Sequence, residues 1–188
     1  VGSANMQIDR AMASSMIGLQ ATGIYTTVIN FASLIRLPSR SVLKIASAII
    51  AEAWKREDTE EIGKIYKVTC LNQYIIGLLV FVGLWANIDN VFRILPESYA
   101  SGKYVIFWLG LAYTFEMASG AAANIIATSK HYRMLTWMVL VTLAIMIVSN
   151  LVFIPLYQVS GVALAAAVTT IAFTLFKVLY VYFKYGMQ

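Results

Sequence analysis

The 188-residue chain is 60% hydrophobic and 12% charged, with a mean hydropathy of +0.75, against roughly 45–50% apolar and about 25% charged in an ordinary soluble domain. Fourteen Lys and Arg face nine Asp and Glu, for a formal net charge of +5, and Cys70 is the one cysteine. These figures argue against a soluble globular domain, a disordered tail, a collagen-like repeat and a disulfide scaffold, and they make a bilayer the expected solvent.

A membrane-crossing helix needs about 20 mostly apolar residues, because about 30 Å of hydrocarbon is traversed at about 1.5 Å per residue. The chain opens Val1-Gly2-Ser3-Ala4-Asn5, without an initiator Met or a charged-then-apolar leader, which reads as the cut edge of a longer protein. Residues 16–35 are uncharged, and the apolar pattern resumes at 42–54 beyond Arg36, Pro38, Arg40 and Lys44. One kinked span over about 18–52 is expected there, with Pro38 bending it and freeing a backbone carbonyl. The next spans are expected at about 68–86 and at 104–127, where Glu116 is the single charge. Residues 134–154 hold no charge, and 160–183 hold only Lys177, near the far end. Pro96 lies in the connection from Asn87 to Ser101, and Pro155 opens a tight turn that runs to Gly161. The expectation is an all-α polytopic bundle of about five spans over 1–188, with short connections and antiparallel neighbours.

Lys and Arg set the expected orientation. Lys55, Arg56, Lys64, Lys67, Lys130, Arg133 and Lys184 fall on one side; Arg10, Arg93 and Lys103 fall on the other. The cytoplasm is therefore assigned to 55–67, 128–133 and the C-terminus. Trp54, Trp85, Tyr104, Tyr157, Tyr180, Tyr182 and Tyr185 lie near span ends, where amphipathic rings favour the headgroup layer. A pI near 9.3 is accounted for by topogenic charge and needs no nucleic acid.

Charges at bilayer depth need a physical reason. Arg36, Arg40 and Lys44 stand at i, i+4 and i+8, within about an 80° arc of one helix face. Two readings stand. In one, the stripe faces a watery cavity, where guanidinium forks suit a phosphate or pyrophosphate. In the other, the span ends at Ile35 and these side chains snorkel into the headgroups. The apolar run 45–51 favours the first reading, although an interfacial amphipathic helix would also hold it. Glu116 either pairs with Arg36 or Arg40, acts as a proton-coupling group, or sits protonated among helices. Thr69, Asn72, Gln73, Asn124 and Asn150 are weaker signals; such groups often glue helices together, and Asn72, Gln73 and Asn124 are kept as candidate cavity contacts. Gly110, Thr114, Ala118 and Ala122, and Gly161, Ala165 and Thr169, recur at four-residue intervals and read as packing seams. With one His and one Cys, no zinc set, Cys-His pair or Ser-His-Asp triad is recognisable, and no Gly-Lys-Ser phosphate loop appears. Neither an enzyme nor a bound cofactor or metal is expected.

The stretch Ile154-Pro155-Leu156-Tyr157-Gln158-Val159-Ser160-Gly161-Val162-Ala163-Leu164-Ala165-Ala166-Ala167 resembles the helix-turn-helix segment of polysaccharide flippases, the exporters of O-antigen and other lipid-linked oligosaccharides. Ala121-Ala122-Ala123-Asn124-Ile125-Ile126-Ala127 with Ser129-Lys130-His131-Tyr132-Arg133 resembles the preceding helix end and loop, and Gly23-Ile24-Tyr25 with Pro38 an earlier one. Gln158 departs from the usual Gly at that place. The resemblance implies a protein of twelve to fourteen helices in two bundles around a central cavity, this chain being a piece of the C-terminal bundle. It also implies a bacterial inner-membrane location, an undecaprenyl-pyrophosphate-linked glycan as substrate and alternating access as mechanism. No motif matches Arg36, Arg40 or Lys44 to family positions, so their assignment rests on helical spacing. The alternatives are a cation-coupled multidrug and toxin extrusion antiporter centred on Glu116, an integral-membrane transferase or hydrolase, and a non-catalytic membrane scaffold.

Overall fold

A computed structural model describes residues 2–187, with the side chains of 2–6, 10 and 101 outside the description, so the topogenic Arg10 is known there only as backbone. The described residues are mostly helical and include no strand: α1 (Gly2–Ser33, kinked at Gly18, whose φ is +83°), a 3-10 turn (Leu34–Arg36), α2 (Leu37–Lys55), α3 (Thr59–Ala86), α4 (Ile88–Ile94), a second 3-10 turn (Glu97–Gly102), α5 (Lys103–Ala118), α6 (Ala122–Thr128) and α7 (Tyr132–Tyr185). Two helices, α3 and α7, are long and apolar enough to cross a membrane, and the bent pair α5–α6 makes a third if it forms one span.

The sequence explains most helix ends. Asp58 caps α3 by accepting from Glu61 N–H at 2.9 Å, with Glu60 and Glu61 in the first turn, where the helix dipole favours anions. Pro38 sits in the first turn of α2, where a missing N–H costs nothing. The expected orphan carbonyl does not arise, because Leu34 C=O accepts from Leu37 N–H across the 3-10 turn. The run 45–51 belongs to α2 and turns Ala46 and Ile50 into the bundle.

α7 is 54 residues long and as a straight rod would reach about 80 Å. Yet Tyr185 Oη lies 3.4 Å from His131 Nδ1, so its two ends meet. The reversal is at Gln158, whose φ of 49° and ψ of −122° are non-helical. The expected turn from Pro155 to Gly161 is thus shorter: helix continues through Pro155 and breaks at one residue. Gly161 lies against the Phe153 carbonyl, where a Cβ would come within 2.0 Å, so the two arms touch backbone to backbone at the tip.

The expected continuous span 104–127 is also broken: α5 and α6 meet at 53°. Gly120, at φ +48°, makes the bend and packs on Cys70 of α3, where a Cβ would lie 2.6 Å from the backbone nitrogen. The Ala121 N–H left unpaired by the bend donates to Thr69 Oγ1 at 3.2 Å, which gives that threonine its interhelical role. The connection Asn87–Ser101 contains α4 and most of the second 3-10 turn, where Lys103 Nζ, 2.6 Å away, holds the Asp89 carboxyl below its usual range.

Two apolar clusters hold the bundle together. One joins Tyr25, Val28, Ile29 and Ile35 to Ile106, Leu109 and Tyr113 of α5 and to Ile154 and Val162 at the α7 tip. The other joins Ala46, Ile50 and Ala53 of α2 to Ile62 and Tyr66 of α3, to Ile125 and Ile126 of α6, and to Met138 and Val181 of α7. Outward, α3 exposes Val68, Leu71, Ile75, Leu79 and Val82, an apolar face suited to lipid.

Candidate functional site: a charged cavity inside the bundle

Between the two clusters lies a cavity of about 290 Å³ lined by Asp9, Arg36, Glu116 and Lys177, together with Tyr25, Tyr113, Thr142, Thr169 and Thr170. Four elements bring charges to it: α1 supplies Asp9, α5 Glu116, the second arm of α7 Lys177, and the 3-10 turn between α1 and α2 supplies Arg36. Arg36 Nη1 lies 3.0 Å from Glu116 Oε2, and both side chains remain 29% exposed. The guanidinium also stacks on Tyr113, its Cζ 3.8 Å from the ring centroid. Glu116 therefore has a partner from another element.

Lys177 differs. The residue is 4% exposed, and among the described residues no carboxylate comes within ion-pair distance of its Nζ. Its described neighbour is the Phe173 ring, 4.7 Å away. Asp9 is also buried and accepts from Asn150 Nδ2 at 2.8 Å, while Asn150 Oδ1 is buried without a hydrogen-bond donor among the described residues. Two carboxylates and two cations thus share one small space, with one cation and one carboxylate already joined.

The stripe of three cations is split. Arg36 lines the cavity, whereas Arg40 and Lys44 are exposed on the outer side of α2. α2 buries Ser39, Ala46, Ile50 and Ala53, and each i+4 step advances about 40° around a helix, which places Arg40 and Lys44 about 100° and about 140° from Ser39. Of the weaker candidates, Gln73 is buried and accepts from Ser39 Oγ at 2.8 Å, locking α3 to α2, while its Nε2 has no acceptor. Asn124 makes a long 3.5 Å contact to the Leu43 carbonyl, and Asn72 is exposed. None of these three lines the cavity.

Sequence reasoning missed Asp9 and undervalued Lys177. Asp9 lies in a polar stretch ahead of the first long apolar run, where carboxylates are ordinarily solvated. Lys177 stands near the far end of an apolar run, where a lone lysine attracts little notice; a signal was present in its i, i+4 relation to Phe173, which puts a ring beside the ammonium. Among the described residues no cluster of His, Cys, Asp and Glu is arranged to hold a metal ion. No family model, curated protein or solved structure matches the chain.

Proposed function

We propose that the chain is the C-terminal bundle of a lipid-linked oligosaccharide flippase, which carries a polyprenyl-pyrophosphate glycan across the bacterial inner membrane by alternating access. The observation that carries this reading is Lys177: a buried ammonium with no carboxylate at ion-pair distance among the described residues, in the cavity that Arg36 also lines. Removing an ammonium from water costs several kcal/mol unless an opposite charge offsets it, and a pyrophosphate supplies that charge. Arg36 then serves as the planar second donor, released from Glu116 as the substrate arrives. The likeness at 121–133 and 154–167 supplies the substrate class.

In this proposal the bundle crosses the membrane five times: through the α1–α2 rod over about 18–52, through α3, through the bent pair α5–α6, and through each arm of α7. The C-terminus is cytoplasmic by the Lys and Arg count. A second bundle covers the outer face of α2, since Arg40 and Lys44 beside exposed Ile45 and Ile49 are unfavourable neighbours for lipid and suit a wet inter-bundle surface.

The test is export of lipid-linked glycan in cells whose only exporter is the full-length protein. Arg36→Gln combined with Lys177→Gln is expected to abolish export at normal protein level; unchanged export would end the assignment. The second reading, a cation-coupled drug antiporter, is favoured by Asp9 and Glu116 lining the same cavity. It requires loss of drug efflux, with glycan export intact, in Asp9→Asn.

A further inference from the structure

The helix ends remote from the α7 reversal gather a second feature. The last turn of α2, the start of α3, the end of α6 and the C-terminal end of α7 enclose a cleft of about 780 Å³, separate from the charged cavity. Lys55, Lys130 and His131 line it, and Glu57 is the one carboxylate among its lining residues. Glu57 lies 3.8 Å from Lys130, with the two side chains 84% and 92% exposed. Solvent screens such a pair, so the cleft keeps its cationic character. Its wall is aromatic. Trp54 and Tyr185 pack with ring centroids 5.2 Å apart, and Trp54 is fixed by donating its indole N–H to the Ile125 carbonyl at 3.3 Å.

From this end an apolar groove of about 370 Å³ runs between the two arms of α7, walled by Met134, Trp137 and Val141 on one side and Phe176, Leu179 and Phe183 on the other. Tyr180 joins the two features: it lines the groove, and its ring meets that of Tyr185 edge-on at 6.1 Å. Residues 134 to 141 advance about 10 Å along the helix, away from the charged ends and into the apolar body of the bundle. Cationic cleft, aromatic ring pair and apolar groove therefore follow one another along the helix axis. A membrane lipid presents the same order as phosphate, glycerol and acyl chain.

We propose that this cleft and groove bind one anionic phospholipid, its phosphate against Lys55, Lys130 and His131 and one acyl chain in the groove. Basic pockets between helix ends at a membrane surface suit acidic headgroups over zwitterionic ones, which bring their own cation. The site stands on the membrane setting alone and is independent of what the charged cavity carries.

The experiment is native mass spectrometry of the purified protein in detergent, with dioleoyl phosphatidylglycerol and dioleoyl phosphatidylcholine added at equal concentration. Phosphatidylglycerol is expected to be retained about fivefold more than phosphatidylcholine, and Lys55→Gln with Lys130→Gln to remove that preference. The circular dichroism of this variant should match the parent; should it not, Lys130→Gln alone, at an almost fully exposed position, is expected to lower the preference in part. Glycerol phosphate, the headgroup without chains, is expected to leave no adduct. Equal retention of the two lipids, or an undiminished preference in a folded variant, would overturn the proposal, and binding of glycerol phosphate would make the cleft a site for free phosphate instead. Glycan export plays no part in the readout, so failure here leaves the flippase reading where it stood.

Discussion

Lys177 is the residue on which the cavity's chemistry turns, because a buried ammonium with no carboxylate in direct contact among the described residues costs stability in the resting protein. Lys177→Met keeps the length and removes the charge. It is expected to raise the melting temperature in detergent, by the equivalent of about 1 kcal/mol or more, and to stop export. A lowered melting temperature would mean that the ammonium is already paired. Arg36 and Glu116 behave differently, since each leaves the other uncompensated. Arg36→Gln or Glu116→Gln should each cost about 1–2 kcal/mol, discounted for their partial exposure, and the double variant less than the sum. Tryptophan-fluorescence melts of the four proteins in one detergent close that cycle; strictly additive losses would deny the coupling. Glu116 was visible in the sequence because an acid inside a long apolar run needs an explanation. Asp9 was hidden, since composition cannot distinguish a solvated carboxylate from one that folds back onto Asn150, 141 positions along the chain.

At the scale of elements, the reversal of α7 rests on two residues with opposite consequences. Gln158 holds φ +49°, a conformation that favours glycine. The strain of such a backbone is of order 1–3 kcal/mol, more than the entropy a glycine adds to the unfolded chain, so Gln158→Gly is expected to stabilise by about 1 kcal/mol. Gly161→Ala should do the reverse. Its Cβ would fall 2.0 Å from the Phe153 carbonyl oxygen, where only backbone can give way, and a loss of about 3 kcal/mol or failure to fold is expected. Chemical denaturation in a mild detergent measures both, and a neutral alanine would show that the arms do not touch there. The hairpin was legible in outline, because Pro155 and Gly161 punctuate an otherwise unbroken apolar run. The bend between α5 and α6 was not: Gly120 stands among alanines that read as a packing seam, and its left-handed backbone is imposed by contact with α3, which no local pattern carries. The stripe failed for a similar reason. Four-residue spacing approximates one face, yet the 40° drift per step carries Arg40 and Lys44 off the side that α2 buries.

For the whole molecule, composition alone identified the solvent, since long uncharged runs leave little choice, and the all-helical bundle follows from the need to satisfy every backbone group internally. The arrangement of charge within it was beyond reach of hydropathy, which registers how many ionic groups a run contains and not which neighbour they face. In the proposed transport function, Arg36, Glu116 and Lys177 surround a hollow that water enters within an apolar bundle. Single cysteines at these three positions, in a Cys70→Ala background, test it directly with a membrane-impermeant thiol reagent applied to sealed vesicles of each orientation. Labelling of Arg36→Cys, Glu116→Cys and Lys177→Cys from at least one side is expected, that of Glu116→Cys slowed by added pyrophosphate because Arg36 and Lys177 are both retained there, while Leu79→Cys on the exposed apolar face of α3 stays unlabelled. If Lys177→Cys and Arg36→Cys resist the reagent from both sides as Leu79→Cys does, there is no wet hollow and the transport reading falls with it.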